Sequence, residues 1–536
     1  MNFLRIYLIL HILSFSKSYA QQIQWLNQQT GVYNQHATGN RIATNSSGES
    51  HTIATYSGQA TVGSNSFVAN GSQGAYLTKF DSSGTLIWLR KINSSDFSSG
   101  EAISVDKQNN VYATGRHGSN TTFETTTITP TNSMSAIYIA KYGSSGNLLW
   151  VNSYSSAFNT TPLSIKNDSL SNTYITGRLS GQVVFGSTTL TANTQNAFIL
   201  KLDSQGNVIW ATQFGGNTQV NAYDLAIDNN LSVHVIGHFG NVGNGGNQNI
   251  VIGTTTLVAN LKTPDIFLAK FNSNGIAQYA KKMGGAFSGD RGLGIDYDGM
   301  NHIYLSGALE GSAVFDSYTV NATPPTAGKY AGYVAKYDLN GNCKWAKTTD
   351  TLITSQFWDV HCSDRNSIYI GGEVMTSALF KLDSLGNEKW HFTTNSTGSG
   401  SGYSISSNKN GQVYMFSTYS GPLSTPLGTL STGSYSILNN FITRIDSEQV
   451  LILGLNELIN IKLKVYPNPV HDMIHIDFNQ ANHTLSNIEI YNNFGSLVCQ
   501  QNFAETINVQ NLAKGLYLLV ITNSNRQAFR IKFIKV

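Results

Sequence analysis

Side chains that can hold a metal, pass a proton or attack an electrophile fall into few productive spacings in this 536-residue chain. No Gly-x-Ser-x-Gly lifts a serine onto a sharp turn, no His-Glu-x-x-His sets two imidazoles on one helix face, and no Cys-x-x-Cys pairs thiolates. Asp296-Tyr297-Asp298-Gly299 begins like a calcium loop. The later oxygen ligands and the closing Glu do not follow, so a hairpin turn is the expectation. Cys343, Cys362 and Cys499 are odd in number and far apart, which is no disulfide framework. Cys343 and Cys362 can pair only if their strands adjoin. No metal and no cofactor is expected, and no catalytic residue is assigned. The remaining candidates share one place, just after a strand-ending glycine: Arg116 and His117, Arg178 and His238, with Ala308 and Glu373 at the matching positions. They would form one ligand-binding face. Solvated loop residues are the alternative reading of the same positions.

The elements that must position these side chains are repeated. One signature is a strand, a tight turn and a strand ending on an aromatic residue: AYLTKFDSSGTLIW (75–88), IYIAKYGSSGNLLW (137–150), AFILKLDSQGNVIW (197–210) and IFLAKFNSNGIAQY (266–279). GYVAKYDLNGNCKW (332–345) and ALFKLDSLGNEKW (378–390) follow, and FITRIDSEQVL (441–451) is a degenerate copy. The Asp of the turn can accept backbone amides two residues on, and the Gly takes the positive φ that closes the hairpin. Each copy carries a cation: Lys79, Lys141, Lys201, Lys270, Lys336, Lys381 and Arg444. A cation repeated in every copy is architecture, most simply a stem laid along the sheet with its ammonium at the edge. A second hairpin signature alternates with the first, for example AISVDKQNNVYATG (102–115) and DLAIDNNLSVHVIG (224–237). Two hairpins make a four-stranded unit, and units of this size repeated along a chain predict a β-propeller.

The aromatic markers stand at 25, 88, 150, 210, 279, 345 and 390, in steps of 63, 62, 60, 69, 66 and 45. The short step keeps all four strands and loses a segment seen elsewhere as VVFGSTTL (183–190) or IVIGTTTL (250–257), which is therefore an adjunct hairpin or loop. Trp25 precedes any complete unit, and the last unit lacks its aromatic strand. A strand around Ile23-Gln24-Trp25 that completes the last blade would close a ring of seven. The alternative is that Val450–Leu453 serves as that strand. The Gly-rich insertion 238–249 and the loop 286–291 would extend a rim.

Charged residues are only 12% of the chain and the net charge is +3, with no Lys/Arg cluster, so no nucleic-acid partner is expected. At the N-terminus Arg5, the apolar run Ile6–Leu13 and Ser18-Tyr19-Ala20 predict a signal peptide (residues 1–20) cleaved between Ala20 and Gln21. No later segment is long and apolar enough for a transmembrane helix.

The repeat resembles the SBBP β-propeller family over 21–452, a resemblance that implies fold and little chemistry. After a linker at 453–463 the pattern changes, and 464–536 reads as a small β-sandwich. Tyr466-Pro467-Asn468-Pro469, Ile490-Tyr491-Asn492 with Phe494-Gly495, Leu512 with Gly515-Leu516-Tyr517, and the Lys535-Val536 end resemble the type A C-terminal sorting domain of the type IX secretion system. That resemblance implies recognition by the secretion machinery, export through the periplasm of a Gram-negative bacterium, and release or attachment at the outer surface. The expectation is an all-β chain: a seven-bladed propeller, then a sandwich. The expected function is a non-catalytic binding or adhesion module for a glycan or protein on one propeller face. A polysaccharide hydrolase or lyase with carboxylates gathered across the central channel is the alternative.

Overall fold

A computed structural model describes residues 22–30, 41–131, 135–156, 158–241, 248–260, 263–285, 289–322, 329–348, 355–363, 367–374, 376–396, 400–425, 428–430, 439–446, 463–478, 485–492, 497–523 and 528–536. All regular structure among them is β. The signal peptide, most of the linker, and the Asn493-Phe494-Gly495 turn lie outside the described residues.

Alternating β-branched and aromatic residues between Asx-Gly turns give seven four-stranded antiparallel sets. Blade 1 is Arg41–Thr44, Ser50–Tyr56, Gly74–Phe80 and Leu86–Ser94. Blade 2 is Ser98–Val105, Val111–His117, Ser135–Tyr142 and Leu148–Ser156. Blade 3 is Thr161–Asn167, Thr173–Phe185, Thr188–Leu202 and Val208–Gly216. Blade 4 is Val220–Ile227, Val233–Phe239, Asp265–Phe271 and Ala277–Met283. Blade 5 is Arg291–Tyr297, His302–Leu309, Ala331–Asp338 and Cys343–Thr348. Blade 6 is Ser355–Cys362, Ile368–Val374, Thr376–Leu382 and Glu388–Thr393. Blade 7 is Gly400–Ser407, Gln412–Tyr419 and Asn439–Asp446, completed by the N-terminal strand Gln22–Thr30. In that closure Trp25 stands opposite Arg444 and Leu26 opposite Thr443. The first strand of each blade packs on the first strand of the next, and blade 7 packs on blade 1, which makes the cycle a β-propeller.

The turns have the expected chemistry. Asp81 Oδ1 accepts the amides of Ser83 and Thr85 at 2.9 and 2.8 Å, and Gly84 holds φ +86°. Asp298 does the same for Met300 and His302, so Asp298 and Gly299 form a turn while Asp296 and Tyr297 belong to the strand before it.

The repeated Lys is not at an edge. Lys79, Lys141 and Lys201 are 6–8% exposed. Each donates across a seam to a turn carbonyl of the next blade: Lys79 to Ser144, Lys141 to Ser204 and Lys201 to Ser273, at 3.2, 3.1 and 3.4 Å. Trp88, Trp150 and Trp210 donate their indole N–H to those same oxygens. Arg444 closes the series, donating to Ser82 of blade 1 at 2.6 Å. The conserved spacing of Lys and Trp in one hairpin is thus the reach to one shared oxygen in the neighbouring blade.

The adjunct segments are hairpins, as expected, and their place is informative. The hairpin Thr121–Ile128 of blade 2 pairs with the fourth strand of blade 1, and Asn249–Val258 of blade 4 pairs with that of blade 3. Each one plugs a seam: Phe185 packs at 5.0 Å from Tyr154 and 5.6 Å from Phe198, and Ile250, Ile252 and Leu257 join the core between blades 3 and 4.

Residues 450–536 form a second compact unit. Leu463–Tyr466, Met473–Phe478 and Thr506–Asn508 make one sheet; Leu497–Asn502, Leu485–Asn492, Gly515–Asn523 and Ala528–Lys535 make the other. Ile474, Ile476 and Ile507 face Ile488, Leu519 and Phe533 in one core, as in a β-sandwich.

Candidate functional site

The four sequence candidates separate into two kinds. Arg116, near the end of the second strand of blade 2, and Arg178, midway along the longer second strand of blade 3, line one cleft of about 500 Å³. Phe158, Asn159, Ser180, Gly181, Asn193 and Gln195 complete its wall. The histidines do not join them. His117 is fully buried, with Nε2 2.9 Å from Ser153 Oγ, and burial lowers its pKa to about 4. His238 lies beside Asn221 and the Tyr223 ring, and burial, aided by the Arg291 charge, lowers its pKa to about 3. For His117 the reason is the strand pleat, since one residue beyond Arg116 the side chain turns to the opposite face. His238 holds the position equivalent to Arg116 and Arg178, but it belongs to blade 4, none of whose described residues lines the cleft wall. Both imidazoles are neutral packing groups here.

The cleft is cationic and open. Arg116 has Nε 3.7 Å from Glu101 and its guanidinium over the Phe97 ring at 5.8 Å. Arg178 forms no ion pair among the described residues. Phe158 is 65% exposed, an unusual state for a phenyl ring, and lies over Gly181. A Cβ at Gly181 would stand 2.4 Å from that ring and displace it, and the residue holds φ +71°, which favours glycine. Two guanidiniums, an aromatic face and the side-chain amides of Asn159, Asn193 and Gln195 can bind a planar anion and its neighbouring hydroxyls.

The carboxylates lie in the central channel, on first strands; of these, residue spacing points only to Asp296, and there as part of a calcium-like loop. Asp224, Asp296 and Asp359 come from blades 4, 5 and 6. Each accepts a backbone N–H from the blade after it: Ile295 at 3.1 Å, Cys362 at 2.8 Å and Ile405 at 2.9 Å. Burial alone would discharge Lys166 among them, but Asp224, Asp296 and Asp359 outweigh it and hold the ammonium pKa above its ordinary value. Burial raises the Asp359 carboxyl against the opposing charges of Arg41 and Lys166. Asp296 also feels burial, but His361, 3.2 Å away, and Lys166 bring it below the usual range. The space between Arg41, Lys166, Asp224 and Asp359 is about 40 Å³, water-sized and too small for a sugar. These charges pin adjoining first strands. The signal that locates them is positional: they stand two or four residues before the turn that ends each first strand.

In the second unit, the motif residues hold the sandwich together. Asn468 receives the Ile534 amide at 2.9 Å and donates to the Lys532 carbonyl at 3.1 Å, which fixes the Tyr466–Pro469 segment on the final strand. Tyr517 stacks on Phe533 and donates to the Ala513 carbonyl, while Gly515 pairs with the largely buried Lys535. Leu516 and Ile534 stand opposite each other and stay 45% exposed. The three cysteines are free.

With this geometry in place, comparisons with known proteins bear on the second unit. Residues 464–535 match the secretion system C-terminal sorting domain. An uncharacterized WD repeat-containing protein of Acanthamoeba polyphaga mimivirus is 30% identical over 198 residues, covering 31% of this chain and 14% of that protein. The chain thus spans about a seventh of the curated relative it matches. Among solved structures, the Pan2 WD40 domain of Neurospora crassa is similar at TM-score 0.42 and 12% identity, covering 79% of this chain and 97% of its own. The β-propeller domain of the Trilobed protease from Pyrococcus furiosus is similar at TM-score 0.38 and 9% identity, covering 74% and 99%. The repeated residues, the sheet order and the matched tail converge: this is a β-propeller protein carrying a type IX secretion sorting domain, exported to the cell surface or beyond it.

Proposed function

We propose that the propeller is a non-catalytic binding module whose Arg116–Arg178 cleft takes an anionic glycan outside the cell. The observation that carries this reading is Arg178, a guanidinium without an ion pair among the described residues, set beside Arg116 and the exposed Phe158 ring. A uronate carboxylate or a sulfate matches the fork of a guanidinium, and an aromatic face accepts the apolar side of a sugar ring. The hydrolase reading has less support, because Asp224, Asp296 and Asp359 are each engaged by a backbone amide and the space that Asp224 and Asp359 line is water-sized. The division into signal peptide 1–20, SBBP-type propeller 21–452, linker 453–463 and sorting domain 464–536 belongs to this proposal. So does docking of the secretion machinery on the sorting domain, where the exposed Leu516–Ile534 pair supports a contact surface.

Calorimetric titration with acidic and neutral oligosaccharides tests the cleft. Saturable binding of the acidic ones should fall at least tenfold in Arg116→Ala/Arg178→Ala at unchanged Tm, and weaken with salt. Equal affinity for neutral and acidic sugars would refute the site.

A further inference from the structure

Of the seven seams between blades, six hold a hairpin that the following blade inserts between its second and third strands. These hairpins are Gln59–Val68, Thr121–Ile128, the paired tips Val183–Leu190, Asn249–Val258, Ala313–Val320 and Leu423–Leu430. Their apolar residues, among them Phe67, Phe123, Phe185, Ile252, Phe315 and Leu423, are part of the seam cores. In blades 1–5 the tip of the hairpin reaches the first residue of that blade's fourth strand. A Cβ on Gly186 would be 3.1 Å from Val208, and one on Gly253 2.7 Å from Ala277; Glu124 accepts the Leu148 amide and Asp316 that of Cys343.

Blade 6 has no such hairpin. Its second strand ends at Val374 and its third begins at Thr376. The seam between blades 5 and 6 is built from strand residues without a hairpin contribution, Val334, Phe357, Ile370 and Phe380 among them, with Trp345 and Leu382 at its margin. It contains a cavity of about 120 Å³ whose lining includes Val334, Phe357, Phe380 and Leu382 and reaches Glu388. Glu388 is the blade 6 counterpart of Leu86, Leu148, Val208, Ala277 and Cys343, the residues that the hairpin tips meet elsewhere. The empty volume therefore lies where the missing hairpin would lie.

We infer that the blade 5–blade 6 seam is a docking groove for an extended segment of another protein chain, one with apolar side chains on alternate residues. The hairpins of blades 3 and 4 state what fits: a strand that places two side chains of Val, Ile or Phe size, two residues apart, into the seam, as Val183 with Phe185 and Ile250 with Ile252 do. Strand pairing would supply affinity, and the cavity would select the side chain that enters it. The groove is separate from the Arg116–Arg178 cleft, so neither proposal rests on the other.

The full chain offers its own probe, a fluorescent peptide with the sequence of residues 248–259 (QNIVIGTTTLVA). Polarisation should show saturable binding to the wild-type chain and at least a tenfold loss in Val334→Trp, which fills the cavity, with Tm unchanged. Should that variant fail to fold, Leu382→Trp makes the same test. Absence of binding to wild type, or equal binding by a folded cavity-filled variant, overturns the inference. A dimer of the chain alone that the peptide disperses also overturns it, by giving the groove to a second copy.

Discussion

At the scale of single residues, ionisation in this molecule follows enclosure more than charge. Burial, with the Lys79 charge behind it, lowers His51 to about 3, and burial lowers His117 to about 4. In the unfolded chain these imidazoles protonate near 6.5, so the folded state binds fewer protons below that pH, and stability is lost as pH falls from about 6.5 toward 4. Asp290 has the opposite effect. Burial first, then the neighbouring charges of Asp265 and Glu310, raise its carboxyl to about 7 against the amides of Gly285 and Glu310 that it accepts. The folded form keeps a proton that the unfolded form releases near pH 4, so this residue's contribution declines as pH rises from about 4 to 7. Asp290→Asn loses one of the two acceptor atoms but cannot ionise. Its Tm should lie below wild type at pH 4.5, and the gap should close by pH 8, which calorimetry across pH would measure. A gap that widens with pH would show the carboxylate to be stabilising in its charged form.

At the scale of elements, the seams between blades are tied at two radii. The inner tie is a first-strand side chain on a neighbouring backbone, as in Asp359 to the Ile405 amide. The outer tie is Lys and Trp converging on one turn carbonyl, as Lys201 and Trp210 do on Ser273. Lys201→Met and Trp210→Phe should each cost about 1 kcal/mol in urea unfolding. Their double mutant should depart from additivity, because the donors share one oxygen. Strict additivity would mean that the shared carbonyl contributes nothing. The hairpin units, the Asx-Gly turns and the closure by Trp25 were legible in the sequence, since all follow from residue type and spacing within one repeat. The plugging of seams was not, because a hairpin pairs with a strand of the preceding blade and no local pattern marks that partner. The Arg116–Arg178 pairing was half legible: the shared position after the glycine put both on one side, while the pleat turned His117 inward. The channel carboxylates were obscured because blades 1–3 and 7 place Arg41, Ala102, Ser164 or Ser404 where blades 4 and 6 have Asp224 and Asp359.

At the scale of the whole molecule, a ring assembled from seven sheets depends on its last joint. Gln22–Thr30 covers the edge of Asn439–Asp446, and removing it would leave a hydrogen-bonding edge beside the Ile442 and Ile445 core. The mature chain without residues 22–30 should unfold at lower temperature and self-associate, as light scattering would record; an unchanged monomer with unchanged Tm would argue that the joint is dispensable. The sorting domain gives the ring its destination, and the work proposed for the ring there is binding without bond cleavage. The most direct test is one titration of the exported chain with an acidic polysaccharide, read simultaneously for heat and for new chain ends. The account predicts saturable, salt-sensitive binding that Arg178→Ala weakens at least tenfold, with no chain ends released. Release of ends, or binding indifferent to Arg178, would contradict it.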